Sequence, residues 1–189
     1  MTELDRLTAI EEKVESLLAI EQIKKVKAQY LRTLDQKDWD AFEAVFTPDV
    51  TFDLREAIFA RDKNTGEILK SGDVQIRQED IKDDEWLVVG AHNVRQWEQT
   101  YLTPIVTVHQ AHMPEIELTS TTTARGRWHM EHILRFPKEA AAEVWWLPDT
   151  DRLWHELHGF GLYDETYERI DGRWLIKTLK LTHFRADIT

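Results

Sequence analysis

At 189 residues, with 42% apolar and 31% charged residues, the chain is long enough for one domain (1–189) with a substantial core and too apolar to be disordered. Its net charge of −11 argues against nucleic acid and anionic membrane as partners, because both need a positive footprint. The absence of cysteine removes disulfides and thiol chemistry, and no apolar run approaches the length of a membrane span. The N-terminus, MTELDRLTAIEEKVESLL, is acidic and amphipathic, unlike a signal peptide, so a cytoplasmic location is the expectation. Eight tryptophans in one domain fit either a well-filled core or a cavity walled for a flat or polycyclic ligand.

Residues 4–34 read as one long helix, with Ser16 the candidate break. Ile20, Ile23, Val26, Tyr30, Leu31 and Leu34 fall mostly three and four apart. Asp35 comes one turn after Leu31, so a carboxylate continues the edge of the apolar stripe and needs a partner. Asp38 is a suitable N-cap for a second helix bearing Trp39, Phe42, Val45 and Phe46, ended by Thr47-Pro48-Asp49. VTFDL (50–54) reads as a short strand, 61–73 as a loop or polar hairpin, and 74–82 as a short helix. Segment 83–104, with Trp86, Trp97 and Tyr101, fits no template; as a lid it would make Trp97 and Tyr101 pocket residues.

From residue 105 the period becomes two. IVTVHQAH, IELT and TARGRWHMEHILRF alternate as strands, and a long connection (137–151) leads to RLWHELHGFGLYDETYERI. Asp171-Gly172 is a hairpin turn signal before WLIKTLKLTHFR. Helices followed by an antiparallel meander indicate an α+β domain. Gly159 and Gly161 read as marking a bend within their strand.

Ile105, Thr107, His109 and Ala111 share one strand face, so His109 and Asp35 can both point inward, one from the sheet and one from the helix. A carboxylate on Nδ1 would fix the imidazole tautomer and leave Nε2 as a base; the alternative is a satisfied core histidine and a helix-end aspartate. His132 lies in the apolar row of Ala124, Gly126, Trp128, Met130, Leu134 and Phe136, where it either finds a buried partner or lines a cavity. Three HxxH pairs (His109/His112, His129/His132, His155/His158) have a spacing that splits each pair across a strand, so no metal site is expected. Tyr30 precedes Asp35 by five residues, about 140° around the helix.

Three stretches, IEQIKKVKAQYLRTLDQKDWDAFEAVF, VHQAHMPEIELTSTTTARGRWHMEHIL and YDETYERIDGRWLI, resemble the SnoaL-like group of the nuclear-transport-factor-like superfamily. The chain is most similar there to the bile-acid 7α-dehydratases, with scytalone dehydratase more distant. The resemblance spans roughly residues 15–186. It implies a cone-shaped α+β barrel, with a curved antiparallel sheet wrapped around the N-terminal helices and an apolar pocket. It also implies cofactor-free lyase chemistry on a hydrophobic small molecule and a small homo-oligomer, a trimer or a dimer. The family's catalytic positions fall on Tyr30, Asp35 and His109. His132, Trp128, Tyr101, Trp97 and His183 are the candidate substrate-binding residues. Three positions depart from the dehydratase pattern: His132 replaces an aspartate, His183 an arginine (with Arg185 two residues on), and Leu54 a tyrosine. A bile-acid substrate is therefore not expected.

Overall fold

Helix α1 runs unbroken from Glu3 to Gln36 in the computed structural model, which describes residues 2–57, 60–62, 68–69, 86–137 and 155–189. Thr2 and Asp5 form a capping box at its start. Ser16 does not break it, because its hydroxyl bonds back to the Glu12 carbonyl at 2.8 Å. The first half of α1 is exposed on all sides, including Leu4, Leu7, Ile10 and Val14; the second half buries Ile23, Tyr30 and Leu34. Lys37, in the left-handed conformation (φ 59°), ends the helix.

Helix α2 (Trp39–Glu43) is capped by Asp38, as expected, but is shorter than its apolar spacing suggests. Phe46, read as helical, instead opens strand β1 (Phe46–Glu56), which runs through Pro48. Strands β2 (Ala60–Asp62) and β3 (Ile68–Leu69) pair antiparallel, so the hairpin reading of 61–73 holds for the part described. The expected helix at 74–82 and nearly all of the 137–151 connection lie outside the described residues. Segment 83–104 supplies β4 (Leu87–Val89) and α3 (Ala91–Leu102). Strands β5 (Val106–Leu118), β6 (Thr123–Arg135), β7 (Glu156–Ile170) and β8 (Arg173–Ile188) complete the sheet. Asp171 and Gly172, both at positive φ, make the β7–β8 turn.

The α+β class and the curved sheet beside N-terminal helices are as expected, while two details differ. Among the described residues the sheet, ordered β3-β2-β8-β7-β6-β5, does not close into a barrel. It is also mixed: β8 pairs antiparallel with β7 but parallel with β1 and β2. The HQAH and IELT segments form one strand, whose register shift between Ala111 and Pro114 leaves His112 on the outer face near Glu131.

The inner face of the sheet carries a buried polar network as well as apolar side chains. Lys27 of α1 donates to Glu165 of β7, and Tyr167 donates to the same carboxylate. Trp128 Nε1 donates to the Tyr167 hydroxyl at 2.9 Å. The Lys27 ammonium also lies over the rings of Tyr30 and Tyr163, at 4.3 and 3.4 Å from their centroids. Burial pushes Lys27 down to about 8, and Glu165 opposes that shift.

Candidate functional site

Asp35 lies in the last turn of α1, where the carbonyl ends of the helix disfavour negative charge and no basic residue of that turn offsets it. Strand β5 supplies the compensation. The His109 backbone N–H donates to Asp35 Oδ2 at 2.9 Å, His109 Nδ1 lies 2.7 Å from Oδ1, and the Thr107 hydroxyl donates to Oδ1 at 2.9 Å. Lys37 Nζ donates to Thr107 Oγ1 at 2.7 Å, which fixes the direction of the Thr107 hydroxyl. An ionised carboxylate only accepts, so Nδ1 carries the hydrogen in this arrangement. Nε2 then points away from Asp35 and bonds to no described residue. The side chains of His109 and Asp35 are 6% and 24% exposed, so the pair is sheltered but reachable.

His109 is the first of three imidazoles in a row across the sheet. His132 is its direct neighbour on β6, with ring centroids 5.4 Å apart, and His183 of β8 lies 4.9 Å beyond. Strand β7 runs between β6 and β8, and opposite His132 it carries Gly159. A Cβ there would meet His132 Nε2 and Cδ2 well inside 3.0 Å and His183 Nε2 at 3.1 Å. Gly159 therefore marks a close approach: the His132 ring lies over bare backbone. Gly161 adjoins the β7–β8 register shift, closer to the expected bend.

Burial, reinforced by His183 and His109, holds the His132 pKa well below the usual imidazole value. Burial also pushes His183 down to about 4, opposed by the Ala57 backbone, which approaches the ring without reaching hydrogen-bond geometry. His132 Nε2 and both nitrogens of His183 lack a hydrogen-bond partner among the described residues. Unpaired buried nitrogens are expected where a ligand supplies the partner. Among the described residues no three His, Asp or Glu side chains converge as a metal-binding set.

The remaining sequence candidates are dispersed. Tyr30 is buried among the rings of Phe42, Phe46 and Tyr163. Trp128 belongs to the Lys27–Glu165 network, two inward positions along β6 from His132. Trp97 and Tyr101 meet edge to face, with ring centroids 4.5 Å apart, in a groove between α3 and β4. Arg185 faces outward, paired with Asp187 at 2.7 Å.

Sequence reasoning missed Glu98. It is 5% exposed and shares a face of α3 with Ala91, Val94 and Leu102. Burial pushes its carboxyl up to about 8 against the pull of Lys37. Its spacing from Val94 and Leu102 was the available signal, hidden because 83–104 fitted no template.

The sequence pattern of the SnoaL-like domain matches residues 15–180. The chain belongs to this family. Among solved structures, the SnoaL-like domain described here resembles a scytalone dehydratase-like protein from Novosphingobium aromaticivorans. The two are 16% identical over 92% of this chain and 89% of that one, with a TM-score of 0.62. It also resembles the LinA-type3 hexachlorocyclohexane dehydrochlorinase of Novosphingobium barchaimii, at 12% identity over 94% of both chains and a TM-score of 0.65. At such identities the likeness is one of fold.

Proposed function

We propose that this SnoaL-like domain is a cofactor-independent lyase acting on a hydrophobic, cyclic or aromatic oxygenated small molecule, with Asp35 and His109 as its acid–base pair. The observation that carries the reading is the cradle around Asp35. Three β5 donors hold the carboxylate at a helix end that disfavours it, and the effect is to aim a free imidazole Nε2 inward. His109 takes a proton from carbon beside a carbonyl or vinylogous carbonyl. Asp35 keeps the tautomer and stabilises the imidazolium. His132 and His183, neutral through burial, hydrogen-bond the oxygens of the substrate, and Tyr30 supports the pocket through Tyr163.

Loss of water is the first outcome of this chemistry. Release of formaldehyde or another carbonyl fragment uses the same base on a hydroxyl, and isomerisation or ring closure uses the same proton transfer. The two solved relatives are named for eliminations, of water in one and of hydrogen chloride in the other, which is consistent with the proposal. The exposed apolar side chains of α1, Leu4 to Val14, support assembly as a homo-oligomer, which light scattering of the purified chain tests.

The experiment is untargeted mass spectrometry of wild type and His109→Ala, without added metal or cofactor, on hydroxylated steroids, polyketides and lignin-type aromatic diols. A mass loss seen only with wild type supports the lyase and identifies the leaving group. Compounds retained unchanged and equally by both proteins would favour a small-molecule carrier on the same fold.

A further inference from the structure

We infer that the first half of α1, Glu3 to Leu18, is a coiled-coil arm that pairs in parallel and in register with the same stretch of a second copy of this chain. The inference rests on the homo-oligomer reading and deepens it, by naming the contacting segment, its register and its direction.

Four observations carry it. The first is which side of the helix is apolar. Leu4, Leu7, Ile10, Val14, Leu17 and Leu18 are 48–73% exposed and form one stripe. In the second half of α1 the buried positions are Ala19, Ile23, Lys27, Tyr30 and Leu34, the stripe that packs on the domain. At 3.6 residues per turn the two stripes lie about half a turn apart. The arm therefore presents its apolar side to a neighbour while its own domain lies behind it. The second is the period. Leu7, Ile10, Val14 and Leu17 follow one another at intervals of three, four and three, which are positions a and d of two consecutive heptads. Leu4 and Leu18 flank this seam at position e and widen it, while Asp5, Thr8, Ala9, Glu12, Glu15 and Ser16 on the opposite face are polar or small.

The third is the charge beside the seam. Arg6 and Lys13 occupy position g, and Glu11 occupies position e. In a parallel pair the g residue of one helix meets the e residue of the following heptad in the other, so Arg6 of each copy faces Glu11 of the other. An antiparallel pair would set e against e and g against g, bringing Glu11 to Glu11 and Arg6 to Lys13. The fourth is the sign of the outer face. Asp5, Glu12 and Glu15 make it acidic, which disfavours an anionic lipid surface as the cover, because helices that lie on such surfaces carry Lys and Arg there. The arm is about 24 Å long at 1.5 Å per residue. A helix of that length without packing is marginal in water, and the partner helix supplies the missing stabilisation. In the pair, each domain lies behind its own α1, on opposite sides of the seam.

The chain has no cysteine, so single introduced cysteines report the pairing. Leu7 is exposed in the single chain, so Leu7→Cys leaves the fold intact. In a parallel, in-register pair the two Leu7 positions lie within the Cα separation of about 4.4–6.8 Å that a disulfide needs. In a glutathione redox buffer Leu7→Cys should link almost completely into pairs, and Thr8→Cys, on the outer face, should not. Equal linking by both variants would overturn the inference. So would linking of Leu7→Cys to Leu17→Cys in a mixture with neither linking to itself, the result for antiparallel arms. Light scattering of the same proteins separates the arm from the broader reading. An oligomer in which Leu7→Cys stays unlinked assembles through another surface, which overturns the arm and leaves the homo-oligomer standing. A monomer at every concentration overturns both. Leu7→Gln/Val14→Gln, at two positions exposed in the single chain, should weaken assembly about 100-fold or more, and unchanged assembly would also overturn the arm.

Discussion

Gly159→Ala isolates the physical reason for the histidine row. The φ of Gly159 lies outside the left-handed region, so alanine meets no backbone strain there. On backbone entropy alone the change should stabilise the protein by about 0.4–1 kcal/mol. The new methyl, however, would sit well inside 3.0 Å of His132 Nε2 and Cδ2. The ring has little room to retreat, since His109 and His183 flank it at centroid distances of 5.4 and 4.9 Å. Overpacking of this kind costs about 1–3 kcal/mol, so the single variant should be destabilised by about 1–2 kcal/mol net. With His132→Ala the obstruction is gone, and Gly159→Ala should become neutral or stabilising. Urea denaturation of the four members of the cycle measures the coupling, expected at about 1.5–3 kcal/mol. A Gly159→Ala cost that is the same with and without the His132 imidazole would refute the close approach.

Other consequences concern stability. The folded pKa of His183 is about 4 against 6.5 unfolded, so the unfolded chain binds the extra proton between those values and stability falls as pH drops below 6.5. Glu98 acts in the opposite sense: with a folded pKa of about 8 against 4.5, the folded chain holds the extra proton and stability falls as pH rises across that window. Between about 4.5 and 6.5 the His183 and Glu98 slopes cancel, but His132 is depressed in the same direction as His183, so urea titrations should show a maximum near 6.5, with a loss of about 2 kcal/mol on going to pH 8 from Glu98 alone. Glu98→Gln should flatten the alkaline side and His183→Asn should soften the acid side. Lys27→Met leaves Glu165 buried with only Tyr167 as partner, and should cost about 3–5 kcal/mol in thermal or chemical denaturation. Adding Glu165→Leu should recover much of that loss, because a buried ion pair stabilises little beyond an apolar pair of similar volume.

The sheet was legible because its inner positions are regular. In β6, Ala124, Gly126, Trp128, Met130, His132 and Leu134 alternate as buried residues, as the sequence indicated. Asp35 and His109 were legible for the same reason, each a polar residue at a position whose period points inward. Less visible were groups whose place depends on distant packing. Lys27 lies on the α1 stripe with Ile23, Tyr30 and Leu34, but a lysine there reads as solvated until Glu165 is seen opposite it. Gly159 reads as a bend because nothing local reveals that an imidazole from another strand covers it. Phe46 continued the helical spacing of Trp39 and Phe42, yet pairing with Ile176 on β8 draws it into a strand.

The most direct test of the Asp35–His109 pair needs no leaving group. α-Tetralone incubated in deuterated water with the wild-type protein, and followed by proton NMR, reports removal of the proton beside the carbonyl alone. Wild type should exchange that proton faster than buffer. Asp35→Asn, which disturbs the tautomer, should lose at least about 100-fold of the enhancement, and His109→Ala all of it. Exchange by His109→Ala at the wild-type rate would contradict the assignment of His109 as the base.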